Sequence, residues 1–154
     1  MNYFRLCIEN EPNDHQILYN LIYCIDNLKC FKDGIKILNQ ILDKDPYNEL
    51  VWLELGKLNL ELNKTKNALN SFDYAILCDD KFSAAYVEKA KLLQRNNNFL
   101  EAIENYQFSL SLESPSAYIY LRIGECFKML RKHSLEMKYY KLSVKEDPNY
   151  EESW

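Results

Sequence analysis

Hydrophobic and polar residues follow a helical spacing along residues 49–82, where the pattern of the chain is clearest. Two helix-length apolar patterns lie there, separated by the polar residues 63–65, and Gly56 stands in the middle of the first. Three- to four-residue spacing places the apolar residues of the second pattern on one helical face: Ala68, Leu69, Phe72, Ala75 and Ile76. Neither helix can bury its face alone, so the pattern predicts a helix–turn–helix hairpin that packs against neighbours.

Repetition of this pattern every 34 residues supplies the neighbours. The recurring residues are aromatic at Trp52, Tyr86, Tyr120 and Trp154, aromatic again at Phe72, Tyr106 and Tyr140, and small at Gly56, Ala90 and Gly124. Small residues let two helices approach closely, while aromatic residues fill the space between hairpins. A fixed period of this length is typical of a solenoid of helix pairs.

The run W-x-x-L-G from Trp52 to Gly56, followed by Ala68, Phe72 and Ala75, resembles the tetratricopeptide repeat family. The 34-residue period resembles that family as well, over essentially the whole chain. The resemblance implies an all-α fold, an α-solenoid in which helix–turn–helix repeats form a right-handed superhelix.

The period predicts one tetratricopeptide repeat domain over residues 1–154. Its predicted parts are a half repeat or lone helix at 1–14, full repeats at 15–48, 49–82, 83–116 and 117–150, and the start of a truncated fifth repeat at 151–154. We expect the chain to be a segment of a longer array, with self-association through its uncapped ends as the main alternative.

Four residues depart from the repeat pattern or mark its boundaries. Asn59 occupies a position that is apolar in the other repeats. Glu136 replaces an expected small residue, which puts the packing within the fourth hairpin in doubt. Ser114 and Pro115 predict an N-cap followed by proline at the first helical position.

The composition of the chain argues against several classes of function. The net charge of −4 and a pI near 5.3 argue against a general binder of nucleic acids or anionic membranes. The chain has no apolar run long enough to span a membrane and no basic-then-apolar leader. The chain has five cysteines, an odd number, and no CxxC pair. This pattern indicates that the cysteines are small core residues and that the protein works in a reducing compartment such as the cytoplasm.

Catalytic signatures are missing from the sequence. His15 and His133 lie far apart, and no HExxH, phosphate-binding glycine loop or serine elbow is present. We therefore expect no enzyme activity, no cofactor and no metal site.

The resemblance implies that the first helices of successive hairpins line a concave groove that receives a peptide or a partner helix. The predicted groove residues are Tyr19, Tyr23, Asp26, Leu50, Leu53, Lys57, Leu60, Val87, Lys91, Gln94, Tyr118, Leu121, Arg122, Glu125 and Lys128. They divide into an apolar lane (Leu50, Leu53, Val87 and Leu121), an aromatic end (Tyr19 and Tyr23) and a lysine row (Lys57, Lys91 and Lys128).

This surface predicts a protein or peptide partner that has apolar anchors and acidic flanks. Arg122 matches one place of the clamp with which some tetratricopeptide proteins hold a C-terminal carboxylate. The other places hold unsuitable residues, so binding of chaperone tails is not predicted. The alternatives are a structural, self-associating spacer and, less favoured because of the acidic pI, a pentatricopeptide-like RNA binder.

Overall fold

The computed structural model describes residues 15–150, which form eight α-helices and no strand. The predicted lone helix at 1–14 and the predicted start of a fifth repeat at 151–154 lie outside the described residues. The first helices of the hairpins are α1 (His15–Leu28), α3 (Glu49–Glu61), α5 (Ser83–Arg95) and α7 (Ala117–Met129). The second helices are α2 (Phe31–Leu42), α4 (Thr65–Cys78), α6 (Phe99–Leu112) and α8 (His133–Glu146).

The turn inside every hairpin has the same backbone conformation. A residue with positive φ ends each first helix, and these residues are 34 positions apart: Lys29 (50°), Asn63 (56°), Asn97 (62°) and Arg131 (56°). The next backbone N–H bonds the carbonyl five residues back, as in the 2.8 Å bond from Lys64 to Asn59. This is the Schellman arrangement, which satisfies carbonyl groups at the end of a helix.

Tertiary contacts divide the chain into two compact units, one ending at Asp80 and the other beginning at Lys81. The first unit contains α1–α4, and its core includes Leu18, Leu21, Ile25, Ile37, Leu38, Ile41, Leu42, Val51, Leu55 and Leu58. The second unit contains α5–α8, and its core includes Ala90, Leu93, Ala102, Ile103, Tyr106, Ile119, Ile123, Cys126 and Phe127. These core residues come from α1, α2 and α3 in the first unit and from α5, α6 and α7 in the second.

Close packing within the fourth hairpin is retained despite Glu136. A Cβ added to Gly124 would lie 2.4 Å from Cε1 of Tyr140, so α7 and α8 touch closely at this point. The Ser143 hydroxyl donates a 2.7 Å hydrogen bond to the carbonyl of Ala117. The Glu136 carboxylate turns to the imidazole of His133, with Oε2 3.0 Å from Nδ1. The hairpin that holds Glu136 therefore keeps close contacts at Gly124 and Ser143, and the Glu136 side chain itself is only 17% exposed.

Two other departures from the pattern have local explanations. The buried Asn59 side chain donates a 2.9 Å hydrogen bond from Nδ2 to the carbonyl of Leu55, one turn back in α3. Helix α7 has its N-cap at Ser116, two residues after the predicted cap, with the Ser116 backbone extended. Pro115 therefore precedes the helix instead of opening it.

None of the helices within residues 15–150 is long and apolar enough to cross a membrane.

Candidate functional site

The predicted groove residues are distributed over the first helices of both units. The first unit holds Tyr19, Tyr23 and Asp26 on α1, and Leu50, Leu53, Lys57 and Leu60 on α3. The second unit holds Val87, Lys91 and Gln94 on α5, and Tyr118, Leu121, Arg122, Glu125 and Lys128 on α7.

The first unit exposes aromatic side chains on α1. Tyr19 is 57% exposed and Tyr23 is 71% exposed, while Asp26 near the end of the helix is also exposed. Large amphipathic rings held on a helix provide contact area at low cost in conformational entropy. The predicted aromatic end is therefore accessible.

The apolar lane is only partly accessible. Leu53 and Leu121 are buried, at 3% and 5% exposure, whereas Leu50 and Val87 are half-buried. Leu60, a predicted groove residue outside the lane, is half-buried as well. Buried leucines stabilise the fold and do not offer apolar surface to a partner. The accessible apolar surface on the first helices comes from the half-buried residues and from the tyrosines.

The second unit gathers predicted residues from two helices around the ring of Tyr118. The Lys91 ammonium on α5 lies 5.6 Å from the centre of this ring, and the Arg122 guanidinium on α7 lies 4.9 Å from it. Both distances lie within the range of cation–π attraction. Two cations from adjacent first helices are thus held over one aromatic side chain.

A hydrogen-bond network extends this cluster. The Arg122 Nη1 atom bonds both carboxylate oxygens of Glu125, at 3.1 and 3.0 Å. Gln94 Nε2 donates to Glu125 Oε2 at 3.0 Å, and Gln94 Oε1 accepts from the Tyr106 hydroxyl at 3.1 Å. We call Lys91, Gln94, Tyr118, Arg122 and Glu125 the α5–α7 cluster. All five are predicted groove residues.

Burial and neighbouring charges fix the protonation states in the cluster. Burial opposes the charged form of Lys91, but the hydrogen bond and charge of Glu88 outweigh this effect and raise the pKa of Lys91. Burial likewise opposes the charge of Arg122, and the bonds and charge from Glu125 raise its pKa. Burial also raises the pKa of the Tyr106 hydroxyl, which keeps it a donor to Gln94. Lys91 and Arg122 therefore stay positively charged near neutral pH.

Ion pairs on the first helices recur at equivalent positions, and the order of the acidic and the basic residue is reversed in the last repeat. Lys57 Nζ lies 2.7 Å from Glu54 Oε1, and Lys91 Nζ lies 2.7 Å from Glu88 Oε1. In α7 the equivalent positions hold Arg122 and Glu125, with the basic residue first. The predicted lysine row thus needs a correction. Two of its lysines are paired with glutamates, and Lys128 is equivalent to Leu60 and Gln94, not to Lys57 and Lys91.

The sequence-based prediction missed Glu54 and Glu88 on this surface, and it missed Tyr106, which lies beneath it. The two glutamates could have been predicted from the sequence, because glutamate and lysine three residues apart on a helix lie side by side. The Tyr106 ring is fully buried in the core, and only its hydroxyl reaches Gln94. No spacing in the sequence indicates this contact.

Within residues 15–150, no group of three histidine, cysteine or acidic side chains is placed to hold a metal ion. Cys24, Cys30, Cys78 and Cys126 are free thiols. His133 lies at the start of α8, where its ring is exposed and faces Glu136.

No family model matches the chain. It is 28% identical over 83 residues (54% of the chain) to "DnaJ homolog subfamily C member 7 homolog" of Dictyostelium discoideum. It is 25% identical over 99 residues (64% of the chain) to "Anaphase-promoting complex subunit 3" of Schizosaccharomyces pombe. Each match spans only 15% of the relative's length.

The fold is similar to the crystal structure of MamA. The TM-score is 0.79 at 19% identity, over 94% of this chain and 79% of MamA. MamA and the two relatives are proteins of the tetratricopeptide repeat type. This likeness confirms the predicted all-α class and repeat fold. The helical hairpins of this chain therefore have the fold of tetratricopeptide repeats, and the resemblance to that family is confirmed.

Proposed function

We propose that this protein is a non-catalytic interaction scaffold that binds a peptide or partner helix along its first helices. The observation that carries the proposal is the α5–α7 cluster, where adjacent first helices bring five predicted groove residues together. The name of one relative describes a subunit of a larger complex, which agrees with a role in protein assembly.

The α5–α7 cluster has the chemistry that recognition of a polypeptide requires. Arg122, Glu125 and Gln94 hold one another in place, so a partner meets groups whose rotamers are already restricted. Binding then costs less side-chain entropy than it would with free side chains. Their remaining donor and acceptor positions, beside the half-buried Tyr118 ring, suit peptide groups and charged side chains.

The partner we propose has apolar anchors and modest charge complementarity. Tyr19 and Tyr23 offer the apolar contacts in the first unit. Acidic flanks fit the exposed Lys128 better than Lys57 or Lys91, because a partner carboxylate at those lysines competes with Glu54 or Glu88. Arg122 is likewise engaged by Glu125, so a free C-terminal carboxylate is not the expected ligand.

We also propose a reducing compartment such as the cytoplasm. The four described cysteines are free thiols, and burial raises the pKa of Cys126 to about 12. Such a thiol is a core residue with little reactivity.

A photo-crosslinking experiment tests the groove. A photoreactive phenylalanine replaces the exposed Lys128 on α7 or, as a matched control in the same unit, the exposed Leu100 on α6. We expect position 128, and not position 100, to capture a defined protein from a lysate, and the capture to fall when Tyr118→Ala and Arg122→Ala are combined. Circular dichroism checks that the variants stay folded. Equal capture from both positions, or capture unaffected by the double substitution, contradicts the proposal.

A further inference from the structure

A cleft in the first unit opens between α2, α3 and α4. Its volume is about 220 Å³, and its lining includes Ile35 of α2, Trp52 and Asn59 of α3, and Ser71 and Tyr74 of α4. Sites for drug-sized ligands measure about 300–1,000 Å³. The cleft therefore has room for one side chain or for a ligand of similar size.

The cleft lies where the fourth repeat has a pair of aromatic rings. Asn59 and Ser71 are equivalent, two repeats earlier, to Phe127 and Tyr139. The rings of Phe127 and Tyr139 stack with their centres 5.4 Å apart and their planes at 27°. The second repeat has two small polar side chains instead, so the space that an aromatic ring fills in the fourth repeat is open in the second.

Asn59 presents a hydrogen-bond acceptor at the base of the cleft. The residue is only 5% exposed, and its Nδ2 atom donates to the carbonyl of Leu55 at 2.9 Å. This bond fixes the orientation of the carboxamide and leaves Oδ1 on the other side. Oδ1 accepts no hydrogen bond from residues 15–150, and within that range no side-chain oxygen without a partner is sealed from solvent. Asn59 Oδ1 is therefore open to a donor in the cleft.

Aromatic and polar groups surround this acceptor. The rings of Trp52 and Tyr74 stack with their centres 4.7 Å apart, and Trp52 Nε1 already donates to the carbonyl of Pro46 at 2.8 Å. The Ser71 hydroxyl donates to the carbonyl of Asn67 at 2.9 Å, so its oxygen can still accept. None of the described residues that line the cleft is acidic. The cleft thus suits a neutral aromatic ring that carries a hydrogen-bond donor.

We propose that this cleft binds the phenol ring of a tyrosine from a partner polypeptide. The ring takes the space that Phe127 fills in the fourth repeat, and its hydroxyl, which keeps its proton near neutral pH, donates to Asn59 Oδ1. A phenylalanine ring would leave that oxygen unpaired. A polypeptide is the expected source, because Asn39, Asn67 and Asn70 line the cleft, are exposed and can bond the peptide groups beside the tyrosine.

The cleft lies outside the groove of the proposed function. The predicted groove residues on α3 are Leu50, Leu53, Lys57 and Leu60, and none of them lines the cleft. Binding in the cleft therefore does not depend on binding at the α5–α7 cluster. Arg122→Ala, which alters that cluster, should leave it unchanged.

The test uses the whole chain, isotope-labelled for NMR, and titrates it with N-acetyl-tyrosinamide or with N-acetyl-phenylalaninamide. The indole N–H of Trp52 reports on the cleft, and the variant Trp52→Phe identifies its signal. We expect a saturable shift with the tyrosine amide and a Kd on the order of 1 mM, because a small ligand gains little affinity per atom. The phenylalanine amide should bind about tenfold more weakly, since it makes no bond to Asn59 Oδ1.

Two substitutions of Asn59 separate the hydrogen bond from the shape of the cleft. Asn59→Leu removes the acceptor, so the preference for the tyrosine amide should disappear. Asn59→Phe fills the cleft as Phe127 does and should abolish the shift of the Trp52 signal. Asn105→Leu is the matched control, because Asn105 Nδ2 makes the same kind of bond, to the carbonyl of Glu101 at 2.8 Å on α6, outside the cleft. Circular dichroism checks the fold of each variant.

The proposal is overturned if the tyrosine amide gives no saturable shift, or if the phenylalanine amide binds as tightly. It is also overturned if the preference survives in Asn59→Leu or falls equally in Asn105→Leu. Tighter binding of free tyrosine than of its capped amide would assign the cleft to a small molecule. Self-association of the wild type that is lost in Asn59→Phe would assign it to a second copy of the chain, and both results reject a partner polypeptide.

Discussion

The ring of Phe72 lies so close to Gly56 that a Cβ on Gly56 would come within 2.3 Å of the Phe72 Cε1 atom. Phe72 is fully buried, so its ring has little room to move. The same contact recurs between Gly124 and Tyr140, where the ring is only half-buried. The cost of a methyl group should therefore differ between the two hairpins.

Gly56→Ala should destabilise the protein by up to about 2 kcal/mol. Overpacking costs about 1–3 kcal/mol, and the better helix propensity of alanine returns about 1 kcal/mol. Gly124→Ala should be nearly neutral, because Tyr140 can turn toward solvent. Urea unfolding monitored by circular dichroism measures both changes. A larger loss for Gly124→Ala than for Gly56→Ala would contradict this interpretation.

Glycine should be the better residue at two of the four hairpin turns. Lys29 and Arg131 have positive φ, a conformation that costs a residue with a Cβ about 1–2 kcal/mol. Lys29→Gly and Arg131→Gly should each stabilise the protein by about 0.5–1 kcal/mol after the entropy of the unfolded glycine is subtracted. Thermal and urea unfolding provide the measurement.

Asn97 provides the control for the turn prediction. Asparagine tolerates the left-handed region, so Asn97→Gly should change stability less than Arg131→Gly does. Destabilisation by Arg131→Gly would show that contacts of the arginine side chain stabilise the fold by more than the left-handed backbone conformation costs.

Replacing the buried Asn59 with leucine should stabilise the first unit by about 1 kcal/mol. The equivalent residues Ile25, Leu93 and Phe127 are buried and apolar. A side-chain hydrogen bond contributes only about 1 kcal/mol, whereas burying a leucine side chain gains about 1.5–3 kcal/mol. The Leu55 carbonyl lies inside α3 and keeps its backbone donor. Asn59→Ala is the contrasting variant, since it loses both packing and hydrogen bond. A fall in unfolding free energy for Asn59→Leu would contradict the prediction.

Stability should decrease at alkaline pH because of Cys126. Burial raises its pKa from 9 to about 12, so the unfolded thiol ionises first. The folded state is fully favoured below pH 9, and it loses about 1 kcal/mol by pH 10 as the unfolded state releases its proton. Unfolding free energies at pH 8, 9 and 10 should show a shallower slope in Cys126→Ala than in the wild type. Identical slopes in the two proteins would exclude Cys126 as the cause.

The hairpins could be predicted from sequence because few residue types fit the positions that recur. A glycine or alanine must face the ring of Phe72, Tyr106 or Tyr140, and this requirement appears directly in the 34-residue pattern. The turns were also readable, since polar residues interrupt the apolar spacing between each pair of helices.

The details of the candidate site could not be predicted in the same way. Whether Leu53 is buried depends on the rotation of α3 about its axis. The spacing of apolar residues determines this rotation only to within the width of a residue. The position of Lys91 and Arg122 over one Tyr118 ring requires the relative placement of α5 and α7. The pairing of Lys57 with Glu54 was accessible, because both lie on one helix at a fixed interval.

The four left-handed turn residues stand at one constant interval, and every hairpin begins at the same interval. A gene that gains or loses a whole 34-residue segment would join ends whose backbone conformations already match. An insertion of any other length would rotate the next hairpin out of register and expose its apolar face. Duplication by complete units is therefore the mutational route by which such a chain can lengthen or shorten without unfolding.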